Sequence, residues 1–397
     1  MKLFLKLRIE LIAIVLFAFF YSCSDTDKEV NELSTKDYYA KVNNKAVESE
    51  IVFTGNLQLD TIVFSNSIES SYVGFYHIKK DTIYFFDEIF NYVFRFTKDG
   101  SLIDRHIGRG EGPNEIVRFD YAILDDYDYF FLNGANSVIN TFDESFSKTH
   151  RFPITNPKER AFKEIFDKPI PEQFDSYEFD YGIPNAFQKW DDDHLSMLIN
   201  AAHPKFNSYF NSDLFHNFSR VLAIIDKKDG KIKKLFGRRP PLYLEKQNIP
   251  NFNHLNYDVI DDKVLFNFWA DETIYVIDKK TDKIESSFGI AGKKMKTNYQ
   301  LTLNYKDAQN NWKYDLDTYG YYNFIKAFPD KNLVFRGYRR GMGSITDGLQ
   351  VYENKKLIAD YNVPKGFELI DYIGDTFYGI DKSKEGEKML FYTFILE

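Results

Sequence analysis

Residues 72–107 read YVGFYHIKKDTIYFFDEIFNYVFRFTKDGSLIDRHI, a run of four short aromatic-rich segments separated by turns. We predict a strand in each segment, because aromatic and β-branched residues favour pleated, half-buried positions. The strands are expected at 72–78, 82–86, 92–96 and 102–107. Lys98-Asp99-Gly100 provides the last turn, since Gly accepts the positive φ of a tight hairpin.

The second strand of this unit has counterparts along the whole chain. An apolar, aromatic-rich strand follows a turn at six positions, namely Ile83, Tyr129, Leu195, Val264, Leu333 and Phe377. Their spacings of 46, 66, 69, 69 and 44 residues lie near or above the roughly 40 to 50 residues of a propeller blade. Turns at Asp229-Gly230 and Lys280-Thr281-Asp282 repeat the turn of the first unit. We therefore predict an all-β, six-bladed β-propeller with insertions in its middle blades.

The last unit contains three strands, at 367–373, 376–380 and 389–396, and lacks a fourth. An uncovered sheet edge there would be a liability. Two unassigned strands, near 51–53 and 57–64, precede the first unit, so we expect one of them to fill the gap. The prediction is a single propeller domain over 51–397, closed by an N-terminal strand.

The N-terminus predicts export. Lys2, Lys6 and Arg8 precede an unbroken apolar run at 11–21, which is shorter than the roughly 20 residues of a membrane-spanning helix. The run is followed by Cys23, the only cysteine of the chain. This segment resembles the lipobox of bacterial lipoproteins, although Phe20 and Tyr21 depart from its usual residues. The resemblance implies a lipoprotein signal peptide at 1–22 and a lipid on Cys23; an ordinary signal peptide or an uncleaved anchor remain the alternatives.

The polar segment at 23–50 is expected to be a flexible tether, because it cannot bury enough apolar surface to offset its ordering entropy. Ser24 and the acidic residues after it resemble the export signal of surface lipoproteins in Bacteroidetes. The resemblance implies an outer-membrane, cell-surface location with the lipid bilayer as partner. A merely solvated leader is the alternative.

Composition and motifs exclude several functions. The net charge of −8 argues against general nucleic-acid binding. The chain has no Gly-x-Ser-x-Gly elbow, no zincin helix and no cysteine nucleophile besides the expected lipid site, so no cofactor and no reaction are indicated. Acidic clusters at 125–126, 191–193 and 261–262 lack EF-hand spacing and are explained by turn chemistry, and we predict no metal site.

The longest connections are predicted to share one end of the ring. Links between blades and between the second and third strands of a blade emerge at the same end of a propeller. The long connections all belong to these two kinds, at 152–181, 200–218, 237–253, 290–319 and 337–348. Loops on a rigid scaffold commonly carry binding sites, so we call this end the loop face and expect function there. The alternative is that these loops have grown long by neutral sequence drift and carry no function.

Arginines and aromatic residues concentrate on the predicted loop face. The candidate ligand-binding residues are Arg109, Arg238, Arg239, Tyr243, Trp269, Tyr338, Arg339 and Arg340. Arg presents a planar fork that matches carboxylates, sulfates and phosphates, which favours an anionic glycan or peptide as ligand. Arginines paired with neighbouring acids are the alternative. If the protein is instead a hydrolase or lyase of anionic polysaccharide, the catalytic candidates are His203, His216, Arg239, Tyr243 and His254.

The segment Ile107-Gly108-Arg109-Gly110-Glu111-Gly112-Pro113-Asn114-Glu115 precedes a predicted strand, not the helix that a phosphate-binding loop requires. We interpret it as a tight corner between blades. Together with the six strand repeats and the cysteine leader, it resembles the six-bladed β-propeller lipoproteins of Bacteroidetes, relatives of NHL and TolB-like propellers. The resemblance implies the fold and the location but no settled reaction. A lipid-anchored binding protein is the primary hypothesis, and a structural subunit of an outer-membrane assembly is a further alternative.

Overall fold

A computed structural model describes residues 33–40, 42, 48–64, 68–158, 160–201, 203–209, 213–246, 248–302 and 304–396. The predicted signal peptide at 1–22 and the lipid-bearing Cys23 lie outside these residues. The chain divides into two units, Met1–Ser34 and Thr35–Glu397, and every element described below belongs to the second.

The strands of the second unit follow one another along the chain as short antiparallel meanders. Two strands come first, β1 (Glu48–Asn56) and β2 (Asp60–Val63). Blades 1 and 2 contain β3 (Gly74–Lys79), β4 (Thr82–Asp87), β5 (Tyr92–Thr97), β6 (Leu102–Ile107), β7 (Tyr121–Leu124), β8 (Tyr129–Asn133), β9 (Val138–Phe142) and β10 (Lys148–Pro153). Blades 3 and 4 contain β11 (Glu178–Phe179), β12 (Phe187–Lys189), β13 (His194–Asn200), β14 (Arg220–Asp226), β15 (Ile232–Arg238), β16 (Leu255–Ile260), β17 (Lys263–Phe268), β18 (Ile274–Asp278) and β19 (Lys283–Phe288). Blades 5 and 6 contain β20 (Tyr321–Phe328), β21 (Leu333–Arg339), β22 (Thr346–Glu353), β23 (Lys356–Pro364), β24 (Phe367–Ile373), β25 (Thr376–Asp381) and β26 (Leu390–Phe394).

The described residues form six sheets, one for each blade. The first strands of neighbouring blades contact one another, β24 with β3, β7 with β12 and β16 with β20, so these strands line the ring axis. The predicted all-β, six-bladed β-propeller is confirmed. Four strands of the first blade fall where the sequence predicted them, with ends shifted by at most two residues.

Ring closure follows the prediction. β2 pairs antiparallel with β26, with Asp60 opposite Thr393 and Val63 opposite Leu390, and completes blade 6. Just after β2, the buried ring of Phe64 makes edge contacts with Phe96 of blade 1 at 4.7 Å and with Phe391 of blade 6 at 4.9 Å. The N-terminal strand therefore joins the first and last blades through both hydrogen bonds and packing.

β1 takes a position that the sequence did not indicate. It pairs in parallel with β23, with Phe53 opposite Ala359, and becomes a fifth, outermost strand of blade 5. Its pairing covers the outer edge of that blade, where unpaired backbone groups would otherwise be exposed.

Short helices occupy the long connections. They are α1 (Thr35–Tyr39), α2 (Phe162–Asp167), α3 (Asp213–Phe218), α4 (Leu242–Glu245) and α5 (Tyr305–Thr318). Single 3₁₀ turns occur at Phe174–Ser176, Pro250–Phe252, Pro329–Lys331 and Lys382–Lys384. Helices α2 to α5 all lie in connections that the strand order places on the loop face. No helix within the described ranges has the length and apolar character needed to cross a membrane.

Helix α1 falls inside the segment that was expected to be a flexible tether. Tyr39 is buried, and its hydroxyl donates a hydrogen bond of 2.7 Å to the carbonyl of Arg238. Thr35 is also buried, and its hydroxyl lies 3.0 Å from the carbonyl of His216. These residues are docked on the propeller, and β1 begins three residues before the expected boundary at 51. The expectation of flexibility is therefore corrected for 35–39.

Candidate ligand-binding site

Most of the arginines and aromatic residues predicted to bind ligand are buried. Arg238, Arg239 and Arg340 are 2%, 3% and 4% exposed, and Tyr243, Trp269 and Tyr338 are likewise buried. Arg339 is partly exposed, whereas Arg109 is exposed on the loop face. An open basic surface built from these eight residues is therefore not formed.

The buried arginines hold the loops of blades 3 and 4 together. Arg238 forms an ion pair of 3.0 Å with Glu172, and Arg239 donates to Asn253 at 2.7 Å and to Ser219 at 3.0 Å. Burial lowers the pKa of Arg239 to about 10. Both guanidinium groups are buried and bonded to protein acceptors, so these residues stabilise the loop face and are not available to a ligand.

Tyr243, Tyr338 and Arg340 have similar structural roles. The Tyr243 hydroxyl donates to the carbonyl of Phe252 at 2.7 Å, and the Tyr338 hydroxyl donates to Asp360 at 2.7 Å. Arg340 donates to the carbonyl of Lys293 at 3.1 Å. Tyr243 is held within its own connection, Tyr338 within blade 5, and Arg340 by the connection that precedes blade 5.

The glycine-rich segment after β6 is a tight corner, as predicted. The Ile116 amide donates to the carbonyl of Gly108 at 3.0 Å, and the Glu115 carboxylate accepts from the Gly112 amide at 2.8 Å. A Cβ atom on Gly110 would lie 2.0 Å from the Glu115 carboxylate. A side chain at Gly110 would therefore displace the Glu115 carboxylate from its place in the corner.

The catalytic candidates do not line a common cavity. His203 lies 3.0 Å from the carbonyl of Ile165, His254 forms a 3.2 Å pair with Asp180, and burial lowers the pKa of His216 to about 4. None of them lines either of the two loop-face cavities described below. Within the described residues, no group of His, Cys, Asp and Glu side chains is arranged to hold a metal ion.

The loop face carries a cleft between helix α5 and blade 5, with a volume of about 550 Å³. We call it the aromatic cleft. Its walls are formed by Trp312, Lys313, Leu316, Asp317, Tyr321, Arg339, Gly341, Asp347 and Lys365. Only Arg339 among them was a sequence candidate.

Two asparagine side chains cap helix α5 and hold it on the propeller. Asn304 caps it, because its side-chain oxygen accepts from the Asp307 amide at 3.0 Å. The buried Asn251 donates to the Ala308 carbonyl at 3.0 Å and to the Asp315 carboxylate at 2.8 Å. These bonds hold the helix against the propeller, so the wall that carries Trp312 is rigid.

Trp312 is the exposed aromatic surface of the cleft. It is 39% exposed, and its ring lies 6.4 Å from that of the buried Trp269. Trp269 in turn stacks on Tyr321 with ring centroids 4.5 Å apart and an angle of 22°. Trp269, predicted to touch ligand, instead supports the two rings that line the cleft.

The charged groups of the cleft differ in their pairing. Arg339 is hydrogen-bonded to Asp347, which is buried. Burial acts to lower the pKa of Arg339, but the charge and hydrogen bond of Asp347, together with Tyr321 and Glu368, raise it overall. Lys313 and Lys365 are exposed, and neither forms an ion pair or a side-chain hydrogen bond with another described residue. The cleft therefore presents two available ammonium groups beside an aromatic wall.

A second opening, of about 320 Å³, lies at the ring axis on the same face. We call it the axial cavity. Its walls come from the inner strands of blades 1, 2, 3 and 6 and from nearby loops, and include Phe75, Tyr76, His77, Glu88, Arg118, Asp120, Tyr121, Tyr181, Phe187, Glu368 and Lys382.

The inner strands also place charges along the axis. Lys326 interacts electrostatically with His77, Asp258 and Asp371, each from a different blade. Burial lowers the pKa of His77 to about 3 and raises the pKa of Asp371 to about 6. The surroundings of the ring axis therefore disfavour the charged forms of His77 and Asp371.

Comparisons with known proteins identify the fold. No protein-family model matches the sequence, and no curated protein matches it. The structure is similar to a member of the DUF4221 family from Bacteroides vulgatus ATCC 8482, with a TM-score of 0.64 and 12% identity over 89% of this chain and 100% of that one. Weaker matches are a Bacteroides fragilis NCTC 9343 protein provisionally described as exported (TM-score 0.47, 14% identity, 87% and 99% covered) and the Cps50 (Swd1) β-propeller domain of Myceliophteria thermophila (TM-score 0.41, 8% identity, 85% and 100% covered).

At these identities the likeness concerns the fold and assigns no residue a role. The sequence resemblance to six-bladed propellers of Bacteroidetes is supported at that level. Membership of a lipoprotein or NHL-like family stays a prediction.

Proposed function

We propose that this chain is a lipid-anchored protein of the cell envelope that binds an acidic saccharide in the aromatic cleft. The observation that carries the proposal is the pairing of an exposed, supported indole, Trp312, with two unpaired lysines at one cleft. Pockets that bind small molecules combine apolar and aromatic walls with a few placed polar groups, and this cleft has that composition.

The aromatic wall favours a sugar ring. An indole presents a broad apolar face that can stack on the C–H face of a pyranose, and the stack of Trp269 on Tyr321 keeps this wall in place. The Arg339–Asp347 pair offers both a donor and an acceptor to hydroxyl groups. A peptide carboxylate could meet the lysines but would leave the aromatic wall unused, so we assign the site to a glycan.

The lysines favour an acidic sugar. Lys313 and Lys365 are the available cations of the cleft, while Asp317 is its one exposed carboxylate. Exposed charge pairs contribute only about 0.2–1 kcal/mol each and are screened by salt. The expected role of the lysines is therefore selectivity for an anion, with most of the affinity coming from the aromatic contact.

The proposed location rests on the leader. Cationic residues, an apolar run and Cys23 stand in the order of an exported lipoprotein. The fold similarity to a Bacteroides protein is compatible with that setting. Cys23→Ala is expected to release the protein from membranes during fractionation. Retention of the variant in the membrane fraction until detergent is added would contradict lipid anchoring.

Binding is tested by titrating the protein with a uronic acid oligosaccharide and with its neutral counterpart. We expect the acidic sugar to bind more tightly and its affinity to fall with added salt. Lys313→Gln with Lys365→Gln should reduce the preference roughly two- to fivefold for each lysine, while a control pair of exposed lysines, Lys280→Gln with Lys355→Gln, should not change it. Equal binding of both sugars at low salt, or unchanged selectivity in the double variant, would overturn the proposal. Tighter binding of an acidic peptide than of the glycan would also do so.

A further inference from the structure

Glu368 is a buried carboxylate that lines the axial cavity. It is 6% exposed, and among the described residues its side chain has no hydrogen-bond partner and no ion-pair partner. Arg339 attracts it electrostatically, but the hydrogen bond of Arg339 is made to Asp347. Buried carboxylates nearly always have a hydrogen-bond partner, so this one, which faces a cavity, takes its donor from outside the chain, either from water or from a ligand.

The cations of the axial cavity do not fill this need. Arg118 donates to Asp120 at 2.7 Å. Lys382 donates to the carbonyl of Gly74 at 3.2 Å and lies 3.7 Å from Glu385. Both positive groups are therefore engaged with other acceptors.

Glu88 is a second carboxylate at the cavity without a side-chain partner in the described structure. It lies in the loop between β4 and β5, at the mouth, and no ion pair or side-chain hydrogen bond involves it. Desolvation is the main cause that raises its pKa, while the charges of Lys382 and Arg118 act in the opposite direction. Two carboxylates without a side-chain hydrogen bond or ion pair in the described structure thus face one cavity from blade 1 and blade 6.

Aromatic and aliphatic side chains form much of the rest of the wall. Tyr121 and Tyr181 are fixed by hydrogen bonds, Tyr121 to the carbonyl of Tyr181 at 2.7 Å and Tyr181 to the Ser137 hydroxyl at 2.9 Å. Phe75 and Phe187 add apolar surface from two inner strands. Carboxylates combined with aromatic faces are the chemistry that recognises an ammonium group.

We propose that the axial cavity is a second binding site, separate from the aromatic cleft, that takes an organic ammonium group held by Glu368 and Glu88. Its volume of about 320 Å³ is far above the roughly 10–15 Å³ that one water molecule requires, so a small aliphatic or sugar amine can enter. The two sites select opposite charges, because the cleft offers lysines and the cavity offers carboxylates.

The test uses n-pentylammonium as the probe and 1-pentanol as its neutral counterpart, measured by calorimetry on the full-length protein. We expect the ammonium probe to bind more tightly than the alcohol. Glu368→Gln should weaken its binding at least about tenfold, and Glu88→Gln should weaken it severalfold. Glu353→Gln, an exposed glutamate at the opposite end of the ring, is the matched control and should change nothing.

A second readout separates binding from folding. Because Glu368 is buried without a donor, Glu368→Gln is expected to raise the melting temperature of the unliganded protein while it loses the probe. If Glu368→Gln does not fold, the exposed Glu88→Gln carries the test. Equal binding of the ammonium probe and the alcohol would overturn the proposal, as would full binding by folded Glu368→Gln. Trp312→Ala should leave this binding intact, so failure of the cleft proposal and failure of this one are distinguishable.

Discussion

The indole of Trp269 stacks on the phenol ring of Tyr321, with centroids 4.5 Å apart, and so places a buried residue of blade 4 directly behind a wall of the aromatic cleft. Trp312 from helix α5 completes the group at 6.4 Å from Trp269. The cleft therefore depends on residues from blade 4, blade 5 and the insertion between them. Its shape should be sensitive to changes in the rings beneath it as well as in those that line it.

The first prediction concerns the packing that closes the ring. Phe64→Ala removes a fully buried ring that contacts Phe96 and Phe391 across the closure between blades 1 and 6. We expect a loss of about 3–5 kcal/mol in the free energy of unfolding, measured by urea denaturation. Phe53→Ala on the outer strand β1, where the ring is 55% exposed, is the control and should cost far less. Equal, small costs for the two variants would contradict the role of this closure.

Replacing Arg239 tests whether the buried arginines stabilise the fold or bind the ligand. Arg239→Gln leaves Asn253 and Ser219 without their donor and should destabilise the fold by about 1–3 kcal/mol. Saccharide binding by the folded fraction should persist, because the guanidinium is 3% exposed and lines neither cavity. Arg109→Gln, an exposed arginine, should affect neither property. Loss of binding with full stability in Arg239→Gln would contradict this account.

The ionisation of Asp371 is expected to make the free energy of unfolding depend on pH. Burial raises its pKa to about 6 in the folded protein, against an ordinary value of 3.8. The folded state therefore holds this proton more tightly than the unfolded state, and the carboxylate destabilises the fold increasingly as the pH rises from about 4 through 6. Asp371→Asn should stabilise the protein at pH 7 by about 1–2 kcal/mol, after allowance for partial exposure to the channel.

The check is the difference in unfolding free energy between Asp371→Asn and the wild type across the pH range. The difference should shrink toward zero as the pH falls well below the ordinary pKa of 3.8, because the carboxyl is then protonated in both the folded and the unfolded protein. A difference that stays constant with pH would show that ionisation of Asp371 is not its cause.

The strands and the ring closure could be predicted because their signals are local. Alternation of apolar residues, turns such as Lys98-Asp99-Gly100, and a missing strand in the last unit are all visible in short windows of sequence. At Asp282 the sequence predicts only part of what the residue does. The predicted turn is present, and Asp282 adopts a left-handed φ of 53° in it. Its carboxylate also accepts a hydrogen bond from the Tyr38 hydroxyl of α1, which the sequence did not indicate. The docking of α1 depends on that contact and on others far apart in the chain.

The site residues were mostly missed because their environments depend on long-range packing. Arg239 and Arg340 look like exposed loop charges in the sequence, yet each is enclosed by loops from other segments. Trp312 gives a weak signal, as one of three tryptophans and the one inside a long insertion. Glu368 interrupts an apolar strand, which hints at a special position but does not say that the strand lines the axis.

The most direct test of the aromatic cleft compares two variants of one helix. Trp312 and Tyr314 are both exposed on α5, at 39% and 52%, but only Trp312 lines the cleft. We expect Trp312→Ala to weaken binding of a uronic acid oligosaccharide at least about tenfold, as the loss of a central aromatic contact does, and Tyr314→Ala to leave the Kd unchanged. Equal affinities for the two variants and the wild type, or a loss confined to Tyr314→Ala, would contradict the cleft as the saccharide site.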